Sequence, residues 1–148
     1  QLTTEEIVAV LAHEVGHYKK KHTAQSLIIS VFQTGAMLFL LGFFVRNEDF
    51  SLALGATQGS FHVGIIAFGI IFSPISTLIG IAMNVLSRKN EFEADAFAKD
   101  TYAAQPLGEG LKKLTRENLS NLKPHPSYVF VHYSHPPVLE RLSKMEIS

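Results

Sequence analysis

Ala12–Tyr18 reads A-H-E-V-G-H-Y, which sets two imidazoles, His13 and His17, four residues apart with the Glu14 carboxylate beside the first. On an α-helix, positions i and i+4 lie about 40° apart, so both rings point the same way and can hold one metal ion. Glu14 is turned about 100° from His13, so it borders such a site without being forced to ligate. A carboxylate there can take a proton from a metal-activated water, which is the mechanics of the H-E-x-x-H pattern. The plain alternative is a polar helix face carrying two solvated histidines. Gly16 costs up to about 1 kcal/mol inside a helix, and one reason to keep it is close approach by another segment. The chain has 148 residues and no cysteine, so any ion must be held by His, Asp and Glu.

A catalytic zinc site needs a third protein ligand and an open position. The candidates are His22, Glu91, Glu93, Asp95, His125, His132 and His135. His22 follows His17 by five residues and is rotated off its face. Glu91 and Asp95 form an i, i+4 pair on one helix face. Glu91 can ligate, while Asp95 can hold the far nitrogen of a ligand histidine and so fix its tautomer. The alternative for E-F-E-A-D is a solvated acidic face paired with Arg88, Lys89 and Lys99.

The elements that must bring these residues together are apolar. Residues 24–45 carry no charge over 22 positions, about 33 Å as a helix, enough to cross a bilayer core. A second such run is best drawn over residues 63–86, with Pro74 as an expected kink. Residues 46–60 read as a polar, glycine-containing loop. Two spans return the chain to the side it left, so a helix before the first can meet a helix after the second. Lys19, Lys20, Lys21, Arg88 and Lys89 flank the outer ends, and the positive-inside rule puts those ends on the cytoplasmic side. The alternative is two buried helices of a soluble protein.

Thr3-x-x-Glu6 has the form of a capping box, so a helix starts near Thr4 within a zinc-motif segment over 2–22. Nothing breaks its pattern before Lys19–Lys21, and it can run on into the first span. Residues 88–104 read as a third-ligand helix continuing the second span into water, broken at Gln105-Pro-Leu-Gly108. Residues 110–148 read as C-terminal helices, the first running over 110–122 through Leu111, Leu114, Leu119 and Leu122. Val129–Tyr133 stays open between strand and loop, and Pro136-Pro137 suits the first turn of a last helix. Lys plus Arg and Asp plus Glu are both 13, which gives no electrostatic reason to expect nucleic acid as a partner.

L-A-H-E-V-G-H, then two spans, then S-R-K-N-E-F-E-A-D-A-F-A, then H-Y-S-H-P-P-V-L-E-R-L resembles the catalytic half of the type I CAAX prenyl proteases, integral-membrane zinc metalloproteases of the gluzincin type. The likeness runs from about Leu2 to Leu142. It implies His13, His17 and Glu91 as ligands of one zinc ion, Glu14 as general base and acid, and Asp95 as a partner behind the ligands. It implies that His135 hydrogen-bonds the substrate carbonyl or oxyanion, with Arg141 nearby. The residues support a donor at His135 independently: a tetrahedral intermediate needs one besides the metal, and prolines fix the S-H-P-P turn. The alternative is that His135 is a cap and Arg141 a surface charge. Members of this family enclose a chamber with several spans, usually seven, and this chain carries two and begins without Met. It is therefore expected to be a C-terminal fragment of a multi-span helical barrel.

The reading is an all-α membrane protein, a zinc-dependent endopeptidase that cuts after a prenylated cysteine to remove a C-terminal tripeptide. Its partners are a peptide or protein substrate and the lipid bilayer. The membrane would be endoplasmic-reticulum or nuclear in a eukaryote and the inner membrane in a bacterium. The alternatives are a membrane-protein quality-control protease and a non-catalytic zinc-binding membrane module.

Overall fold

The computed structural model describes residues 1–147. They form seven helices and no strand: α1 (Thr4–Lys19), α2 (His22–Arg46), α3 (Glu48–Ala53), α4 (Phe61–Thr101), α5 (Ala104–Glu117), α6 (Pro126–His132) and α7 (Val138–Lys144). The chain divides into two compact units, one of Gln1–Thr23 with the residues from Ile81 onward, the other of Ala24–Gly80.

In the first unit, α1 begins at the capping box: the Thr3 hydroxyl accepts from the Glu6 N–H, and the Glu6 carboxylate accepts from the Thr3 N–H at 2.8 Å. Glu6 also accepts from Lys113 Nζ, which ties α1 to α5. Helix α1 does not run into the first span. It stops at Lys19, and Lys21 takes φ of 60°, a left-handed conformation that costs a non-glycine residue roughly 1–2 kcal/mol. A fresh helix then starts at His22.

Small residues let α1 and the C-terminal part of α4 lie close together, antiparallel. Ala9 and Ala98 are completely buried in one core with Leu107, Leu142 and Met145. A methyl group added to Gly16 would sit 3.1 Å from the Ala94 Cα and 3.1 Å from the Phe97 Cβ. The close approach that a helical glycine suggests is thus made, by the helix that carries Glu91 and Asp95.

Three later elements differ from their sequence expectation. Gln105-Pro-Leu-Gly108 does not separate two helices; it lies in the opening turns of α5, where Pro106 occupies a position whose N–H would have no intrahelical acceptor. Helix α5 ends at Glu117, so Leu119, with φ of 50°, and Leu122 are exposed beyond it. Val129–Tyr133 is neither strand nor open loop. Its residues up to His132 form α6, begun by Pro126 and capped by His125, whose Nδ1 accepts from the Ser127 N–H at 3.2 Å. Pro137 precedes α7 as its N-cap rather than sitting within it.

The second unit turns its apolar side chains outward. Val31, Phe32, Phe39, Ile70 and Leu78 are all at least 60% exposed. Helix α2, with 25 residues, and α4, with 41, are each long and apolar enough to cross a membrane. Helix α4 is unbroken at Pro74. The segment between the spans is not purely loop: it contains α3, whose Asn47 cap accepts from the Asp49 N–H at 3.0 Å. Buried Ser51 closes this connection by donating to the Ser60 carbonyl and accepting from its N–H. Phe44 stacks on Phe50 at 4.1 Å, and Gly64 lets α4 approach Val45 of α2.

Candidate metal centre

All the residues of the candidate centre lie in the first unit. About one turn of α1 carries His13 and His17 on the face toward α4, and about one turn of α4 carries Glu91 and Asp95 on the face toward α1. The seam at Gly16 and Ala94 brings the backbones near enough for these side chains to meet. His13 Nε2 and His17 Nε2 are 3.1 Å apart. Glu91 lies 3.6 Å from the first nitrogen through Oε2 and 3.4 Å from the second through Oε1. One ligand atom from each of the three residues lies within 4.8 Å of the others.

These separations, 3.1 to 3.6 Å with Glu91 offering a different oxygen to each histidine, are close to those of ligand atoms around one ion. Zinc held tetrahedrally at about 2.0–2.2 Å from N and O donors sets its ligand atoms about 3.3–3.6 Å from one another. The donor set, two imidazoles and a carboxylate, is one that zinc takes in catalytic sites. Burial, helped by the neighbouring His13, pushes the His17 imidazole below its ordinary value, which favours the neutral form that ligates.

Asp95 and Arg141 support the group from behind. Arg141 on α7 is buried and donates from Nε to Asp95 Oδ2 at 2.8 Å and from Nη2 to Oδ1 at 2.6 Å. Its Nη1 lies 3.3 Å from Glu91 Oε2, so one guanidinium orients both carboxylates. Burial alone would raise the Asp95 carboxyl, but the hydrogen bonds from Arg141, with His13 close by, outweigh it and hold the group below the ordinary carboxylate range. His13 Nδ1 is 2.9 Å from Asp95 Oδ1 but off the line of a straight hydrogen bond. Arg141 is accordingly not a surface charge, and it contributes to the wall of the cavity beside Glu91 and His135.

Glu14 and His135 face open space. Both line a cavity of about 460 Å³ with His13, His17, Glu91 and the apolar side chains of α5. Glu14 is exposed. The His135 side chain is 67% exposed, and its Nε2 is 3.4 Å from Glu91 Oε1. Its Nδ1 lies 3.0 Å from the Ser134 hydroxyl, and its Nε2 is the nitrogen turned toward Glu91. His125 and His132 stay outside this group: His125 caps α6 and His132 packs on Tyr128.

Two sets of contacts have no sequence signature. Arg88 donates to the carbonyls of Val129, Phe130 and Tyr133, and Asn84 donates to that of Val131 at 2.7 Å; together they fasten the end of α6, two residues before Ser134-His135, onto α4. His22 places Nδ1 at 3.1 Å from His17 Nδ1 and Nε2 at 3.3 Å from Glu93 Oε2. Helical periodicity puts His22 off the ligand face, and the break at Lys21 is what turns it back toward the far side of the His17 ring.

The profile of peptidase family M48 matches residues 1–147. The chain belongs to peptidase family M48. Within it, the chain is 41% identical over 147 residues to a CAAX prenyl protease 1 homolog of rice (Oryza sativa subsp. japonica), with 96% of this chain and 33% of the relative covered. It is 38% identical over 144 residues to the CAAX prenyl protease 1 homolog of Homo sapiens, covering 96% of this chain and 30% of that one. The crystal structure of S. mikatae Ste24p matches the fold with a TM-score of 0.81 at 33% identity, over 97% of this chain and 36% of that chain. The M48 chain described here therefore spans about a third of the length of the curated relatives it matches. Two apolar membrane-length helices and these relatives identify it as part of an integral membrane protein.

Proposed function

We propose that this chain forms the zinc-binding catalytic part of a membrane endopeptidase, with His13, His17 and Glu91 as ligands and Glu14 as general base. The observation that carries the reading is the convergence of three ligand atoms within 4.8 Å on a cavity that an exposed carboxylate also lines. Zinc bound there supplies Lewis acidity, which polarises a carbonyl and lowers the pKa of water. Glu14 accepts the proton of the attacking water and returns it to the leaving amine. His135 donates from Nε2 to the oxygen on which charge develops. Asp95 faces the Nδ1–H of His13 and so orients the ring, and Arg141 holds Asp95 and Glu91 in place.

The names of the relatives support a CAAX-type substrate, cut after a prenylated cysteine to release the C-terminal tripeptide. The apolar wall of the cavity, from Val10, Leu107, Leu111 and Leu114, suits aliphatic side chains of such a peptide. The basic residues Lys19–Lys21, Arg88 and Lys89 support a catalytic unit on the cytoplasmic side.

Glu14→Gln tests the mechanism. The variant is expected to keep its zinc and lose at least about 100-fold in peptide hydrolysis, the lower end of what a general base contributes. Zinc content by elemental analysis and cleavage of a prenylated peptide by the intact membrane protein check the two halves. Wild-type turnover by Glu14→Gln would refute the assignment.

A further inference from the structure

His17 Nε2 faces His13 and Glu91, and its Nδ1 faces His22, which is not a carboxylate. His22 is 5% exposed, and behind it stands Glu93, whose other oxygen lies 3.7 Å from Lys89. The proton count along this chain of groups is constrained. A carboxylate only accepts, so the contact of His22 Nε2 with Glu93 Oε2 at 3.3 Å is a hydrogen bond when the proton sits on Nε2. His22 Nδ1 then holds a lone pair. The 3.1 Å contact between His22 Nδ1 and His17 Nδ1 needs one proton, and only His17 can supply it. With Nδ1 protonated, His17 Nε2 is left as a lone pair.

The same logic applies on the other side through one group fewer. Asp95 Oδ1, 2.9 Å from His13 Nδ1, favours a proton on that nitrogen, which leaves His13 Nε2 as a lone pair. In that pair of tautomers two lone pairs face each other at 3.1 Å beside the Glu91 carboxylate. Three electron-pair donors so arranged repel one another unless a cation sits among them.

We infer that Glu93 and His22 are positioning residues that set the tautomer of His17 for metal binding, an imidazole relay doing for His17 what Asp95 does directly for His13. The inference rests on the metal-site reading above and extends it to two residues that touch neither the ion nor the cavity. It turns on where the protons sit. Glu93→Leu removes the acceptor at a side chain that is 38% exposed, so the fold tolerates it. Glu93→Gln keeps an acceptor oxygen and removes the charge. His22→Phe keeps ring volume and removes both nitrogens.

The experiment is zinc competition against a chelator in the intact membrane protein in detergent, paired with visible absorption of the cobalt-loaded protein to show that the ligand set is unchanged. Loss of a group that orients a metal-bound histidine weakens metal affinity about 10–100-fold, and Glu93→Leu and His22→Phe are expected in that range. Glu93→Gln is expected near wild type, as is Lys89→Met. Wild-type zinc affinity in Glu93→Leu, with His17→Ala losing the metal, overturns the relay and leaves the site standing. Glu93→Gln binding as weakly as Glu93→Leu also overturns it, because charge rather than an acceptor would then be the cause. Unchanged zinc binding in His17→Ala overturns the metal-site reading itself, and the relay with it.

Discussion

The two units bury opposite things. Around α1 and the end of α4, the buried polar side chains are Glu6, His13, His22, Asn90, Glu91, Asp95 and Arg141, packed beside a core built largely from alanine, leucine and methionine. Between Ala24 and Gly80, the one buried polar side chain among the described residues is Ser51, and phenylalanines, isoleucines and leucines face outward. A water-facing unit sequesters charge, where low dielectric strengthens each pair and makes an unpaired group costly. A lipid-facing unit has no solvent to hide its apolar surface from, so it keeps only backbone polarity satisfied and spends its few inward contacts on aromatic stacking and a close glycine. The contrast explains why chemistry sits in one unit and a plain hydropathy signal in the other.

Exchanging the two kinds of environment tests that contrast. Arg141→Leu removes the one cation facing two buried carboxylates, and breaking such a pair from one side costs about 3–5 kcal/mol. Denaturation monitored on the detergent-solubilised protein measures it, and a loss under about 1 kcal/mol would mean that the pair is not desolvated as drawn. The converse change, Phe32→Lys in the middle of α2, puts charge on an outward apolar face and is expected to cost about 2.5–3.5 kcal/mol of membrane insertion. A glycosylation-reporter insertion assay reads it, and normal insertion would argue that this face meets water.

Two smaller effects probe the first unit alone. Gly16→Ala overpacks the seam against Ala94, with an expected loss of about 1–3 kcal/mol, and zinc retention should fall with it because the displaced helix carries His13 and His17. The smallest effect is pH-linked. The hydrogen bond from Lys113, with that from the Thr3 N–H, holds the Glu6 carboxyl below its ordinary value in the folded chain. A lowered folded value contributes stability that is present above the unfolded glutamate value and lost as pH falls through the folded one. Acid-induced loosening of α1 from α5 should therefore be slightly steeper in wild type than in Lys113→Met, as followed by hydrogen exchange at acidic pH.

Much of this was readable in the sequence wherever a local pattern carries the physics. The capping box sets the start of α1, the i, i+4 histidines share a face, and charge-free length marks the spans. Glu91 became readable only through topology, since two crossings return the chain to its starting side. What escaped depended on backbone geometry with no residue code of its own. Lys21 is not a glycine, so its left-handed turn, and with it the swing of His22 toward His17, left no trace. Proline misled at Gln105–Gly108, where it opens a helix, and the β-branched and aromatic residues of Val129–Tyr133 obscured the short α6 that Pro126 begins. Arg88 reached backbone carbonyls, which no side-chain pattern announces.

The small-residue seam between α1 and α4 also sets a standard of length. One helical turn advances about 5.4 Å, which is more than the 4.8 Å within which the three ligand atoms lie. Sliding α1 along α4 by a single turn therefore carries one of the two imidazoles out of reach of Glu91, and rotating it by one residue, about 100°, turns both off the face. The three-residue centre is complete in one helix register. At the proposed site, metal uptake is then expected to gauge, from outside, whether Gly16 has seated against Ala94.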